Sequence, residues 1–288
     1  MRRSRVTVGA ACAAVALCAL AACQSAAEAG GAPGPNASSG GGAAAKPGSG
    51  AGTGMAWSYT VSSLTNNTSP DNSLSVQYPV VAYAKSTPGD AALATAMNTK
   101  LKNVDEALVS LFRSQFSAPV PVTVDGKIVP SQLQVIAHAN RVGELLSVRY
   151  DAFFDRSGSA SGFSEEQVLT LRADTGAVLG PADLLTPDAL GGSGQSRLAA
   201  LIAPSLSGDY IFGNQSAASA VNGALSTIGL PVDGMTDPVV TVTPAGLEFT
   251  FQQGALTPMS SGTPSAVVPF GQLSGLINPD ALTLADSR

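Results

Sequence analysis

From Gln24 to Gly54 the chain is built of Gly, Ala, Ser and Pro, with almost no large apolar side chain. Such a segment cannot bury enough surface to offset the entropy of ordering it, so no core forms there. About 30 residues of this composition behave as a flexible coil with a mean reach of roughly 30 Å. Whatever folds must lie beyond it. Ordered sequence starts near Trp57, and residues 57–288 are enough to bury one proper core. No internal repeat and no second linker of that length divides them, and Gly191 to Gly194 reads as a loop.

Ahead of the tether, Arg2, Arg3 and Arg5 precede an uncharged stretch from Val6 to Ala22 that is rich in Ala, Val and Leu. This is the layout of an export signal, and as a membrane span it is marginal because so much of it is Ala. Its ending, Leu20-Ala21-Ala22-Cys23, resembles a bacterial lipobox: Leu, two small residues, then Cys. In signals of that kind the Cys thiol is diacylated and the chain is cut just before it, and two acyl chains anchor where one does not. The expected organisation is residues 1–22 as a lipoprotein signal, 23–56 as lipidated Cys23 plus tether, and 57–288 as the domain. The expected location is the outer face of a bacterial cytoplasmic membrane, with the membrane as partner through Cys23.

The other two cysteines, Cys12 and Cys18, lie inside the signal. A processed chain would keep only Cys23, leaving no disulfide and no thiol nucleophile. Loss of the signal lowers Lys plus Arg from 15 to 12 against 20 Asp plus Glu, moving the formal charge from −5 to −8. That balance speaks against nucleic acid as a partner.

Periodicity supplies a coarse fold. Residues 74–83 read as a strand, with Pro79 marking an edge or bulge. Leu93, Met97, Leu101, Val104, Leu108 and Leu111 recur at spacings of three and four, predicting a helix over 88–116 that Pro119 and Pro121 end. Residues 133–139, 144–154 and 168–171 alternate as strands, the last closed by an Asp174-Thr175-Gly176 turn. Helices are expected at 196–206 and 216–228, strands at 239–242, 247–251 and 266–268, and a helical turn at 272–277. This order predicts an α+β fold: a single domain with an antiparallel sheet and helices packed on one face.

The search for chemistry returns little. His138 is the single histidine and lies in a strand pattern, where a solvent-facing or hydrogen-bonded ring is expected rather than a catalyst. One His and no remaining thiol exclude a His/Cys metal site. Gly158-Ser159-Ala160-Ser161-Gly162 has the glycines of a nucleophile elbow but puts Ala160 at the nucleophile position, and reads as a hairpin tip. Asp151, Asp155, Glu165 and Glu166 flank that tip and read as solvated charges. Neither a Ca²⁺ loop nor a phosphate-binding Gly-rich turn is present in the sequence. No cofactor, no metal and no catalysis are expected.

Several fragments in order carry a resemblance: "LSVQYPVV", then a helix with Met97-Asn98, "ELLSVRYDAFF", "LTLRADTGAVLGPADLL" and "VTPAGLEFTFQQGALTPMSSGTPSAVVPFGQL". Over roughly residues 73–280 the chain resembles the extracellular domain of lysozyme-sensing anti-sigma factors of the RsiV type, which also accompanies some peptidoglycan deacetylases. The resemblance implies a small α+β domain that binds proteins or wall-associated ligands without catalysis. The chain departs from it twice. Arg156 to Gly162 lacks the His of the family's hairpin, and Pro258-Met259 replaces its Pro-aromatic pair; both changes speak against lysozyme sensing. Five residues ahead of the apolar stretch also leave no room for a cytoplasmic signalling domain.

The sequence therefore points to a non-catalytic surface lipoprotein that binds a protein (lysozyme-like) or a cell-wall glycan. The candidate contacts are Arg156, Ser159, Ser161 and Phe163 in one hairpin and Pro258 and Met259 in a late loop, because flexible tips on a rigid sheet are common binding positions. The alternative is an envelope hydrolase or accessory protein with an unrecognised active site.

Overall fold

Two long strands, β1 (Trp57–Ser69) and β2 (Asn72–Tyr83), open the fold as an antiparallel pair. The computed structural model describes residues 57–69, 72–84, 87–116, 122–159, 162–206, 216–229, 231–232, 235–236, 238–258 and 262–287. The export signal, Cys23, the tether, Pro119, Pro121, Ser161 and Met259 lie outside them. All described residues belong to one unit.

Helix α1 (Pro88–Leu111) follows. It is started by Thr87, whose hydroxyl accepts the Asp90 N–H while the Asp90 carboxylate accepts the Thr87 N–H. This reciprocal cap satisfies two backbone donors that a helix start leaves open. The predicted stripe faces the core: Met97, Leu101 and Leu108 are fully buried, and Phe112 continues it into a π-helical turn at Phe112–Phe116. A short hairpin, β3 (Val122–Val124) and β4 (Lys127–Val129), leads into β5 (Ser131–Val142), β6 (Leu145–Asp155), β7 (Phe163–Arg172) and β8 (Val178–Leu179). The main sheet runs β1-β2-β5-β6-β7-β8.

The α+β architecture read from the sequence is present, with a predominantly antiparallel sheet. One pair, β2 with β5, is parallel, from Asn72↔Ser131 to Val76↔Val135. Its physical cause is α1: a helix placed between two neighbouring strands carries the chain back to the same end, which makes them parallel. Pro79 sits just past this pairing, where its missing N–H costs no ladder bond. There the Asn98 side chain replaces the strand, accepting the Val81 N–H at 2.7 Å and donating to its carbonyl at 3.0 Å.

A second layer follows: α2 (Pro181–Leu184), α3 (Pro187–Leu190), α4 (Ser193–Ile202), α5 (Ala217–Leu225), a two-stranded piece β9 (Pro231–Val232) and β10 (Met235–Thr236), a three-stranded sheet β11 (Val239–Thr243), β12 (Gly246–Thr250) and β13 (Ser265–Pro269), and α6 (Pro279–Asp286). Two apolar cores result. One lies between α1 and the main sheet, around Met97, Leu101, Val135, Val148 and Tyr150. The other gathers α2 to α6 behind the three-stranded sheet, around Ile202, Val221, Leu247, Phe249 and Val268. Gly246, with φ of 152°, lets β12 close on β13; a Cβ there would lie 2.1 Å from the Val268 carbonyl oxygen. The last helix was not foreseen: the turn predicted at 272–277 is a 3₁₀ turn at Phe270–Gln272 with a bridge at Ile277, and α6 begins two residues later.

Candidate functional site

The period of two on β5, β6 and β7 sorts their side chains to opposite faces. Leu133, Val135, Ala137, Val148, Tyr150, Ala152 and Leu171 face α1. Their neighbours therefore form the other face: Gln134, Ile136 and His138 on β5, Ser147, Arg149, Asp151 and Phe153 on β6, and Ser164, Glu166 and Val168 on β7. Register places His138 opposite Arg149, Ile136 opposite Asp151, Gln134 opposite Phe153, and Asp151 opposite Glu166. Such directly opposed pairs interact strongly, so four ionisable groups meet on adjacent strands.

The three-stranded sheet meets this face along β11. The Val242 N–H donates to Ser147 Oγ at 2.9 Å, and Ser147 Oγ shares a second hydrogen bond with Thr170 Oγ1 at 2.7 Å. Beside this junction Arg149 reaches across to β12. Its guanidinium bonds Glu248 Oε1 at 2.8 Å and Thr250 Oγ1 at 3.3 Å, and Asp151 Oδ1 at 2.8 Å on its own strand, with Glu166 Oε2 at 3.6 Å. His138 Nε2 stands 2.8 Å from Asp151 Oδ2 and is about half exposed. One cation is thus surrounded by three carboxylates, with an imidazole at the rim.

Glu166 is 3% exposed, and among the described residues no N–H or O–H donor bonds its Oε2. Burial pushes its carboxyl up to about 9; the hydrogen bond with Asp151 and the Asp151 charge add to this, while the Arg149 charge and a Thr263 hydrogen bond oppose it. Glu166 is therefore the protonated member of the pair and donates to Asp151. Burial also pushes Asp151 up, but hydrogen bonds from His138, Glu166 and Arg149 and the Arg149 charge outweigh it and hold this carboxylate well below its usual range.

The segment after β12 closes over β7. Gln252 accepts the Glu166 N–H at 2.9 Å and returns a hydrogen bond to the Glu166 carbonyl at 2.7 Å. Gln253 accepts the Ser164 N–H at 2.6 Å. These amides stand in for a strand along an edge that β8 pairs only at Thr170 and Leu171.

Of the residues predicted for binding, Arg156, Ser159 and Pro258 are exposed. The hairpin tip is fastened at its base: the Ser157 N–H donates to Ser131 Oγ at 3.0 Å and its hydroxyl to the Val129 carbonyl at 2.6 Å. Phe163 is half-buried against Phe154, ring centroids 6.3 Å apart, on the α1 side of the sheet. The Ser164–Gln253 bond ties the start of β7, just after the predicted hairpin, to the stretch between β12 and Pro258. Reading Glu165 and Glu166 as solvated charges is corrected: both are buried, on opposite faces of β7. Glu166 meets Arg149 and Asp151 on β6 and Gln252 after β12, and Glu165 accepts a bond from Gln167 at 2.5 Å. The reading of His138 as a solvent-facing or hydrogen-bonded strand residue agrees with its half-exposed ring and its contact to Asp151.

Sequence reasoning did not single out Arg149, Glu248 or Gln252. The available signal was an Arg two residues before an Asp inside an otherwise apolar strand, which puts both charges on one face. Among the described residues, no group of three His, Cys, Asp or Glu side chains is placed to hold a metal ion, and no helix is long and apolar enough to cross a membrane.

No protein-family model matches the chain, and no curated protein matches it. Among solved structures it is similar to a DUF3298-family protein from Pseudomonas aeruginosa, at 15% identity and a TM-score of 0.45, covering 81% of this chain and 98% of that one. It is also similar to a DUF3298-family member from Bacteroides fragilis, at 14% identity and a TM-score of 0.49, covering 82% and 99%.

Proposed function

We propose that this protein is a bacterial surface lipoprotein, held by lipid on Cys23, whose domain binds a protein or a cell-wall glycan without chemically altering it. The observation that carries the binding role is the open part of the His138 face of the main sheet, which β11 and β12 leave uncovered. α1 covers the opposite face, while here Ile136 and Phe153 remain exposed beside the His138–Asp151 pair. The Phe153 ring is positioned by Gly162, where a Cβ would lie 2.1 Å from the ring. A fixed aromatic ring with carboxylate, imidazole and amide groups around it suits both the faces of sugars and the mixed surface of a protein. The lipobox-like sequence and the flexible tether support an anchored position facing outward.

The non-catalytic reading is supported by the way the polar groups are used. Glu166 is too buried to meet a substrate, and Asp151 is committed to Arg149, Glu166 and His138. Capture on the immobilised full chain tests the proposal. Lysozyme in one arm and soluble peptidoglycan fragments in the other should show enrichment in at least one, reduced about tenfold or more by Phe153→Ala. Equal retention by the wild type and by the isolated tether in both arms would remove the binding role.

A further inference from the structure

Strand β1 is the outermost strand of the main sheet, and among the described residues β2 is its only strand partner. Alternate residues of such a strand turn their N–H and C=O away from the ladder, so the far side of β1 presents a row of unpaired backbone groups. The opposite end of the sheet is closed differently. There β8 is two residues long, and the Gln252 and Gln253 amides bond the β7 backbone beyond it.

Edge strands are ordinarily guarded by shortness, a charge, a proline or a bulge. β1 is 13 residues long and holds no Asp, Glu, Lys, Arg or Pro. Its register with β2 runs without a shift from Trp57↔Tyr83 to Asn66↔Leu74, and the irregularity comes only after that. Its start is fixed: Trp57 is buried in the α1-side core, and the Tyr59 hydroxyl donates to the Ala139 carbonyl at 2.6 Å. Beyond them Val61 is 46% and Leu64 56% exposed. The result is a regular, uncharged edge with two open apolar side chains.

Charge selects the partner. The chain holds 20 Asp plus Glu against 15 Lys plus Arg, so the net charge of one copy repels another. From Trp57 to Ala84, however, Asp71 is the sole charged residue. The open backbone therefore coincides with the stretch where a second copy meets least like charge. Self-pairing adds a stricter condition. A two-fold axis between antiparallel copies of one strand sets a residue opposite its own copy, and a charge there would face itself. No position from Ser58 to Thr65 carries one.

We propose that β1 pairs antiparallel with β1 of a second copy over Ser58–Thr65, joining two main sheets into one. The outward N–H and C=O groups of each copy then satisfy those of the other, and Val61 and Leu64 gain neighbours across the junction. Both copies use the same edge, so the contact closes on itself and assembly stops at two. Ile136 and Phe153 lie on β5 and β6, away from this edge.

Sedimentation equilibrium of the full chain, without ligand, tests this together with amide exchange read by mass spectrometry. The mass should rise from one copy in dilute solution to two in concentrated solution and no further, and exchange over 58–65 should slow in step. Combining Val61→Lys with Leu64→Lys should weaken the association at least tenfold, while Val178→Lys, on the guarded β8 edge, should leave it unchanged. The proposal is overturned if the mass stays at one copy throughout, if it grows past two, if pairs form with no slowing over 58–65, or if the double variant associates as tightly as the wild type. A single copy with these amides protected at every dilution would mean that other residues of the same chain cover the edge, and overturns it equally. The wild-type readings need no variant to fold. Because no ligand is present, the outcome is independent of the capture experiment.

Discussion

Arg149→Met is expected to lower the free energy of unfolding by about 3–5 kcal/mol, because removing one partner leaves buried carboxylates uncompensated. The Arg149 side chain is 16% exposed and bonds Asp151, Glu248 and Thr250, joining β6 of the main sheet to β12 of the small one. Met fills much of the volume but supplies no hydrogen bond, so Asp151 and Glu248 face each other's charge without the guanidinium. Lys102→Met is the control. Lys102 pairs with Glu106 at 3.3 Å on the exposed side of α1, and its loss should change stability by less than about 0.5 kcal/mol. Urea unfolding monitored by circular dichroism reads both. An Arg149→Met effect as small as that of Lys102→Met would mean that this cation contributes little to holding the two sheets together.

The second large effect runs in the opposite direction. Asp105 lies on the buried stripe of α1, 6% exposed, and neither carboxyl oxygen has a hydrogen-bond partner among the described residues. Burial, followed by the charge of Glu106, pushes it up to about 7. The unfolded chain releases this proton near the ordinary value of 3.8, while the folded chain keeps it to about 7. Between those limits the native state binds more protons, so this contribution to stability is full below the lower limit and falls as pH rises to the upper one. Asp105→Asn removes the ionisation at nearly constant shape. It should raise stability at pH 8 by about 2 kcal/mol, a discounted burial cost, and flatten the decline between pH 4 and 7. Glu166 adds a decline of the same sign that extends to about 9. Asp151 and Asp174, both held low, act oppositely: their stabilisation is present above the ordinary Asp range and fades as pH falls. The wild-type maximum is therefore expected on the acidic side of neutrality. Thermal melts from pH 3 to 9 on both proteins check this; an unchanged profile in Asp105→Asn would contradict it.

The parts of this structure that could be read from the sequence are those set by local periodicity. The spacing from Leu93 to Leu111 identified the buried face of α1, and alternation located β5, β6 and the three late strands. Those patterns say which side chains share a face, but not what covers the face. Glu165-Glu166 beside a Gly-rich tip looks solvated, but Gln252, 86 positions away, bonds the Glu166 backbone. Asp105 falls between Val104 and Leu108 of that stripe, and spacing alone does not say that it is buried with them. The parallel β2–β5 pair could have been inferred, since a 24-residue helix between neighbouring strands is long enough for a crossover. Of the candidate contacts, Arg156, Ser159 and Pro258 are exposed, and Phe163 packs on the α1 side of the sheet. The exposed aromatic on the open face is Phe153, ten residues earlier on the neighbouring strand.

The claim on which the rest depends is that this open face meets the cell envelope. Oxidative footprinting of the full chain, with and without isolated cell envelopes, measures it residue by residue through mass spectrometry. Ile136, Phe153 and His138 share the face, while Leu64 on β1 and Val178 on β8 are exposed elsewhere. The account predicts that envelopes protect Ile136, Phe153 and His138 at least threefold and leave Leu64 and Val178 unchanged. Equal labelling of all five with and without envelopes, or protection confined to Leu64 and Val178, would contradict it.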